Sequence, residues 1–442
     1  MTTVTQSAKA VNPAPAPPAS SQRVSQRVVS VDALRGFDMF WIVGASSLVF
    51  ALNQMTHSGP VAFLARQLEH AEWAGFHALD LIFPLFVFIV GVSMVFSLSR
   101  ILGQVGRKEA LKRIVSRSVL LFLLGIFLSG GLSTRWPDVR LMGVLNRIAL
   151  AYFFAGLLFC YFKPRALVAI CAGLLIGYWA LMTFVPIRDI QMTRKNLAQL
   201  AEQAGDPQTA ALFKAYGNPS AVKDSPEMAA AQKMFYATTT RISGKFEPGL
   251  NLSDHIDFQY LPGSKYDNLR DPEGILSTLP AIATCLLGVF AGLLLKSTNV
   301  PDRRKVLYLF AFGVAGVSLG WLWGMQFPVV KKIWTSSYVL VAGGYSAILL
   351  GAFYLVIDVW RFQGWCQPFV WIGMNPITIY FVANILGGFD PLAERLAGGD
   401  VKLFFDTHVA KGFGDLVVSL VGLLLMFWFV RFLYRQKIFI RL

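Results

Sequence analysis

Two histidines and an aspartate lie close together in the stretch EHAEWAGFHALDLIFPLFVFIVGVS, residues 69–93. His70 and Trp73 come first, and His77 and Asp80 then lead into an almost wholly apolar helix. Histidine titrates near neutral pH, and a neighbouring carboxylate can orient it. These residue types are typical of a site that accepts and releases a proton. The structural alternative is a solvated loop histidine next to an aspartate that interacts with the helix dipole.

Charged residues also occur inside the first apolar segment. Asp32, Arg35 and Asp38 share one side of a helix at 100° per residue. A charge at the centre of a bilayer costs roughly 2.5–3.5 kcal/mol on insertion scales. The residues therefore form either a structural ion pair or a polar pocket. In the second case Arg35 would bind phosphate, because its planar guanidinium binds phosphate oxygens bidentately.

Three other segments carry polar residues at the ends of apolar runs. Asn146 and Arg147 lie about two turns inside one segment, with no carboxylate within helical reach of Arg147. Asp271 and Glu273 stand at the start of another. Asn375 precedes a proline, which breaks the helical hydrogen-bond ladder and frees a carbonyl. Such a break is tolerated only beside protein or a wet cavity.

The composition indicates an all-α polytopic membrane protein. Of 442 residues, 55% are hydrophobic and only 15% are charged. Repeated apolar runs of about 20 residues match the thickness of a hydrocarbon core. We predict about ten transmembrane helices, centred on residues 31–52, 77–99, 114–132, 143–162, 166–186, 274–295, 305–325, 335–357, 367–387 and 412–434.

The net charge of +15 is mostly a signal of topology. Clusters of Lys and Arg occur in every second connection between the predicted spans, so that they all lie on one side of the membrane. Examples are RILGQVGRKEALKR, KSTNVPDRRK and the tail RFLYRQKIFIRL. The positive-inside rule then places both termini and these loops in the cytoplasm. This distribution argues against nucleic acid as a partner.

The chain divides into a tail and one membrane domain. Residues 1–29 are rich in Ala, Pro and Ser, have no apolar signal-peptide core and are expected to be a disordered cytoplasmic tail. Residues 30–442 would form the membrane domain, which includes an ordered periplasmic loop or cap at 187–272, between spans five and six. The four cysteines show neither metal spacing nor a disulfide framework, so we expect no metal.

Six stretches in fixed order point to a known family. They are SVDALRGFDMFWI, the 69–93 stretch, VRLMGVLNRIALAYF, RDPEGILSTLPAIATCLLGVFAG, IWTSSYVLVAGG and GMNPITIY. They resemble the heparan-α-glucosaminide N-acetyltransferase-like family of transmembrane acyltransferases, some bacterial members of which are described as N-acetylglucosamine-related transporters. The resemblance extends from about residue 30 to residue 442, and the loop at 187–270 matches poorly.

The resemblance implies an activity and a catalytic residue. Family members take acetyl from cytosolic acetyl-CoA and transfer it to the amine of a terminal glucosamine on the other side of the membrane. The family motif H-A-x-W, followed by D-L-x-F-P, matches His70 to Trp73 and then Asp80 onward. This makes His70, rather than His77, the candidate catalytic residue. Ser46 stands where the lysosomal enzyme has a functional asparagine, which leaves the substrate or the rate in doubt.

Roles for the remaining residues follow from the same resemblance. His70 would be a general base oriented by Asp80 or His77, or a nucleophile that carries acetyl. The predicted acceptor-binding residues are Trp73, His77, Asp271, Glu273 and Ser46. The predicted contacts to acetyl-CoA, the co-substrate, are Arg35, Asn146, Arg147 and Asn375.

Two other functions remain open from the sequence. The first is an amino-sugar or N-acetylglucosamine permease, which would consume no acetyl-CoA. The second is an acyltransferase that acts on another glycan of the cell envelope. The expected location is a bacterial inner membrane, with a small amino sugar and membrane lipid as partners. The resemblance is also compatible with a homodimer.

Overall fold

The computed structural model describes residues 28–56, 58–133, 135–215, 225–385 and 387–439. The predicted tail lies almost entirely outside these residues. Within them the α-helices are α1 Val29–Phe40, α2 Ser46–Thr56, α3 Gly59–Gln67, α4 Ala78–Gln104, α5 Arg107–Leu128, α6 Val144–Tyr161, α7 Pro164–Phe184, α8 Arg194–Gln203, α9 Pro207–Lys214, α10 Pro226–Ala237, α11 Leu252–Tyr260, α12 Thr278–Lys296, α13 Asp302–Gly324, α14 Ser336–Phe353, α15 Gln367–Met374, α16 Pro376–Ile385, α17 Asp390–Ala397, α18 Asp400–His408 and α19 Phe413–Arg435.

Shorter elements complete the description. Single turns of 3-10 helix cover Gly131–Ser133 and Trp136–Asp138, and π-helical segments cover Trp41–Ala45 and Tyr354–Val359. Strands β1, Ile187–Arg188, and β2, Arg241–Ile242, pair antiparallel.

The helices confirm an all-α polytopic membrane protein. Among the described residues, eight helices are long and apolar enough to cross a membrane. The bent pair α15 and α16 would make a ninth span. The remaining predicted span, 114–132, corresponds to α5, which does not meet this criterion. The physical reason is that Lys112, Arg113 and Arg117 fall within its last 18 residues.

The centre of the bundle is a close contact between α4 and α12. A Cβ atom at Gly91 would lie 2.1 Å from the carbonyl oxygen of Cys285, and one at Gly288 would lie 1.9 Å from that of Phe88. Because glycine has no Cβ, the two backbones can meet here directly. Helix α4, which begins at the predicted proton-handling residues, is thereby held in the core.

Two helices are interrupted beside this centre. Between α1 and α2, Gly44 has φ 147°, a conformation that L side chains rarely adopt. Between α15 and α16 the axis bends by 75° at Asn375 and Pro376, so the predicted break in this span is confirmed. Residues next to both interruptions line the cavity described below.

The described part of the segment between α7 and α12 carries helices α8 to α11. Helices α8 and α9 cover most of residues 194–214. It has a hydrophobic core of its own, which includes Met192, Leu197 and Phe235. Part of this segment reaches the cavity, because Tyr266 and Glu273 line it. We refer to residues 187–272 as the cap.

Candidate active site

His70, Asp80 and Lys331 form a compact cluster where α4 begins. The Nδ1 atom of His70 lies 2.9 Å from Oδ1 of Asp80. Lys331 Nζ lies 3.3 Å from the same carboxylate oxygen and 3.1 Å from His70 Nδ1. The Asp80 side chain is only 1% exposed, whereas that of His70 is 55% exposed. A buried carboxylate thus supports a histidine that solvent and substrate can reach.

The local sequence fixes Asp80 at the start of its helix. Its other carboxylate oxygen, Oδ2, accepts hydrogen bonds from the backbone N–H groups of Ala71 (3.2 Å) and His77 (3.0 Å). The backbone carbonyl of Asp80 accepts a 2.7 Å bond from the hydroxyl of Tyr338. Aspartate in the first turn satisfies backbone donors that the helix leaves unpaired. The same carboxylate therefore anchors the His70 loop and faces the imidazole.

Backbone bonds bring the Lys331 loop to this site. The N–H of Gly75 donates to the carbonyl of Val329 at 2.9 Å, and Ala74 pairs with Val330 in an antiparallel bridge. Lys332 Nζ donates to the carbonyl of Glu72 at 2.8 Å. Burial lowers the pKa of Lys331, while the negative charge of Asp80 opposes that shift. Lys331 was not among the site residues predicted from the sequence. The adjacent lysines Lys331 and Lys332 lie in a loop on the same predicted membrane face as the His70 loop, which was the signal that could have indicated them.

A cavity of about 650 Å³ opens beside this cluster. Four predicted site residues line it, namely His70, Asp80, Ser46 and Glu273. Lys331, Lys332 and Arg140 add positive charge, and apolar side chains such as Phe86 make up much of the remaining wall. This volume suits a small ligand or part of a larger one. The structure therefore brings His70 and Glu273, distant in sequence, to one cavity.

Arg140 organises the cap side of the cavity. Its guanidinium binds Asp271 through Nε (2.9 Å) and Nη2 (2.8 Å), and Nη2 also binds Glu273 Oε2 at 3.0 Å. Burial alone would lower the pKa of Arg140, but the bonds to Asp271 outweigh this and raise it. Burial, followed by the charge of Asp271, raises the pKa of Glu273 to about 6. Asp271 does not itself line the cavity; it holds Arg140 in place.

Three further predicted residues lie outside the cavity wall. Trp73 donates through Nε1 to the carbonyl of Phe246 at 2.8 Å and so ties the His70 loop to the cap. The imidazole Nδ1 of His77 lies 3.0 Å from the carbonyl oxygen of Glu69. Arg147 is fully buried. Its guanidinium stacks 4.9 Å from the ring centroid of Trp334, a residue that lines the cavity, so Arg147 lies behind the wall.

The other predicted CoA contacts are also absent from the wall of this cavity. Arg35 joins α1 to α4 and α15 through Ser93 Oγ (2.5 Å) and the carbonyl of Gly373 (3.2 Å). Ser93 is about 20 Å further along α4 than Asp80, at 1.5 Å per residue. Asn375 is fully buried at the bend between α15 and α16. Asn146 is also buried, and its Nδ2 donates to the carbonyl of Phe122 at 2.9 Å.

Within the described part of the chain, no group of three or more His, Cys, Asp or Glu side chains is placed to hold a metal ion. The four cysteines are free and buried.

Comparison with known proteins identifies related chains. Residues 27–200 match a family model described as heparan-alpha-glucosaminide N-acetyltransferase, catalytic. Two curated relatives bear the name heparan-alpha-glucosaminide N-acetyltransferase. The Mus musculus protein is 27% identical over 398 residues, which cover 84% of this chain and 56% of the relative. The Homo sapiens protein is 28% identical over 397 residues, which cover 84% of this chain and 55% of the relative.

The matched regions agree with the motifs of the site. The family-model match contains His70, Asp80 and Arg140, while Lys331 lies beyond it. The chain spans about half the length of the curated relatives it matches. Together with the six motifs in fixed order, these matches show that most of the chain is similar in sequence to proteins named heparan-alpha-glucosaminide N-acetyltransferase.

Proposed function

We propose that this chain is a transmembrane N-acetyltransferase that moves acetyl from acetyl-CoA to the amine of glucosamine or a terminal glucosaminide. The observation that carries the proposal is the pairing of His70 with buried Asp80, beside Lys331, at a cavity of about 650 Å³. The name shared by the two curated relatives supports the same reaction.

His70 supplies the base in this proposal. Its Nδ1 carries the proton, because an ionised Asp80 carboxylate 2.9 Å away can only accept. The Nε2 atom then keeps a free lone pair, which takes the proton from the attacking amine. The carbon–nitrogen bond forms, the carbon–sulfur bond of the thioester breaks, and the sulfur leaves as a thiol after receiving that proton from Nε2. Asp80 holds the imidazole in the tautomer that this step needs.

Lys331 stabilises negative charge in the same step. Its Nζ lies 3.5 Å from His70 Nε2, so a carbonyl that reacts next to Nε2 is within reach of the ammonium group. A donor placed where an oxyanion develops lowers the barrier by roughly 3–4 kcal/mol. The apolar wall of the cavity suits the pantetheine arm of acetyl-CoA.

The acceptor sugar contacts the opposite side of the cavity. Glu273 lines it from the cap side, and Ser46 lines it from α2. A carboxylate accepts hydrogen bonds from sugar hydroxyls or from the incoming ammonium, while Arg140 fixes the position of that carboxylate. Acetyl-CoA would arrive from the cytoplasm and the amino sugar from the periplasm, as the distribution of Lys and Arg in the sequence favours.

A covalent variant of the mechanism uses the same residues. Here His70 Nε2 attacks the thioester carbonyl carbon, the carbon–sulfur bond breaks, and the sulfur leaves as a thiol with the proton of the imidazole. The acetyl group then passes from Nε2 to the amine, whose proton returns to the imidazole. Rapid quenching of the protein with labelled acetyl-CoA in the absence of sugar separates the two routes. Label bound to His70 supports the carrier route, and label released only when sugar is present supports direct transfer.

The test of the proposal is acetyl transfer by the purified protein. Labelled acetyl-CoA and glucosamine are mixed with wild type, His70→Ala and the control His408→Ala, whose imidazole is exposed on α18 outside the cavity wall. Labelled N-acetylglucosamine from wild type and the control, with a loss of at least about 100-fold in His70→Ala, is expected. Transport of unmodified sugar without transfer would instead indicate a permease.

A further inference from the structure

A smaller cavity, which we call the lateral pocket, lies beside the main one. Its volume is about 220 Å³. The two cavities share five lining residues: Arg140, Val144, Leu145, Tyr380 and Asn384. A ligand in the main cavity is therefore separated from the lateral pocket only by side chains that contact both.

Asn146 presents an unused acceptor in the lateral pocket. The residue is fully buried and lines the pocket. Its Nδ2 donates to the carbonyl of Phe122 at 2.9 Å, which fixes the orientation of the amide because a carbonyl can only accept. Its Oδ1 has no hydrogen-bond partner among the residues that the structure describes. A buried acceptor without a hydrogen bond costs free energy, and a ligand that donates a hydrogen bond to it would recover that cost.

Two glycines leave room around this oxygen. A Cβ atom at Gly125 would lie 2.3 Å from Asn146 Oδ1. A Cβ atom at Gly143 would lie 3.4 Å from the same oxygen and 3.3 Å from Ser129 Oγ. Any larger residue at Gly125 would displace the amide, and any larger residue at Gly143 would narrow the pocket. The sequence thus keeps the acceptor accessible from the pocket side.

We propose that the lateral pocket binds one hydroxyl group of the acceptor sugar and that Asn146 Oδ1 accepts its hydrogen bond. This inference rests on the proposed function. The donor is a hydroxyl rather than the ammonium group, because the amine must reach His70 in the main cavity. The bound hydroxyl is therefore one remote from the amine, at C4 or C6. Asn146 then serves the sugar instead of acetyl-CoA.

The test compares glucosamine with its 4-deoxy and 6-deoxy analogues as acetyl acceptors. For wild type, KM is expected to rise about tenfold for the analogue that lacks the bound hydroxyl. The other analogue is the matched control and keeps the KM of glucosamine. In the near-isosteric variant Asn146→Leu, KM for glucosamine is expected to rise by about the same factor. The variant should then no longer prefer glucosamine over the analogue that lacks the bound hydroxyl.

Other outcomes contradict the inference in distinguishable ways. If Asn146→Leu weakens all three sugars equally and keeps the wild-type preference, the residue is structural and the inference fails. If wild type acetylates all three sugars alike, the inference fails while the proposed function stands. If wild type acetylates none, both fail. Should Asn146→Leu not fold, Gly143→Ala narrows the pocket, and it is expected to impair glucosamine more than the smaller deoxy analogue.

Discussion

Lys331 Nζ lies 3.1 Å from His70 Nδ1, although 261 residues separate the two in the sequence. Both atoms compete for Asp80 Oδ1, which is 2.9 Å from the imidazole and 3.3 Å from the ammonium group. Because an ammonium group can only donate, Asp80 is the acceptor on which both depend. This arrangement makes the carboxylate the centre of the site.

Replacement of Asp80 by asparagine is expected to lower kcat for acetyl transfer by about 10²–10⁴. The amide oxygen can keep the backbone bonds from Ala71 and His77, so the protein should still fold. The amide nitrogen would then face His70 Nδ1 and donate to it, which moves the imidazole proton to Nε2 and removes the base. Steady-state kinetics of Asp80→Asn measure this; a kcat within threefold of wild type would contradict the assigned role.

Replacement of Lys331 by methionine is expected to lower kcat by about 10²–10³, the usual effect of removing one donor to an oxyanion. Lys332→Met is the matched comparison, because Lys332 also lines the cavity but donates to the carbonyl of Glu72. Lys332→Met should therefore lower kcat far less than Lys331→Met. Equal losses of kcat in both variants would indicate a general effect of charge rather than a specific donor.

The cap is expected to lose stability in acid because of His255. Burial lowers the pKa of this histidine to about 4, and its Nε2 lies 3.1 Å from the carbonyl oxygens of both Ile190 and Gly249. The unfolded chain binds the proton near pH 6.5 and the folded chain only near pH 4. The stabilising contribution is thus complete above pH 6.5 and is lost as the pH falls through about 4.

Thermal unfolding of wild type and His255→Gln between pH 7 and pH 4 measures this contribution. The gap in Tm between the two proteins should shrink as the pH falls. Burial raises the pKa of Asp254 to about 6, so that residue acts in the opposite direction, and the comparison between variants removes its effect. A gap that stays constant with pH would show that protonation of His255 does not act on the cap.

Adding one methyl group at the contact between α4 and α12 is expected to destabilise the protein. In Gly91→Ala the new Cβ would lie 2.1 Å from the carbonyl oxygen of Cys285, so the helices must separate. A loss of about 1–3 kcal/mol or more in unfolding free energy is expected. Gly173→Ala, with no atom within 4 Å of its Cβ on α7, is the control and should be neutral or stabilising. Equal stability of both variants would contradict this packing.

Much of the architecture was predictable because apolar runs and helix breaks are local signals. The break at Asn375 follows from the missing N–H of the next residue. The resemblance to the family left Asp80 and His77 as alternatives for orienting His70, and the structure pairs His70 with Asp80. The third predicted span was the exception, since the charges at the start of α5 extend into its apolar part. Local composition alone did not show where the charged start of α5 ends and its apolar part begins.

The contacts of Lys331 and Arg140 were not predictable in the same way. Both side chains reach the site through loops whose meeting depends on packing between helices distant in sequence. Arg147 illustrates the opposite case, because it was predicted to contact acetyl-CoA, while packing places its guanidinium behind Trp334. Residue type indicates what a side chain can bind, but tertiary packing decides what it faces.

The most direct test of the account measures acetyl transfer across a membrane. Purified protein is reconstituted in one orientation into liposomes, with labelled acetyl-CoA on the side of the termini and glucosamine on the opposite side. The account predicts labelled N-acetylglucosamine on the sugar side with wild type and none above background with His70→Ala. Equal product from both proteins, or unacetylated sugar moving across with both, would contradict the central role of His70 in acetyl transfer.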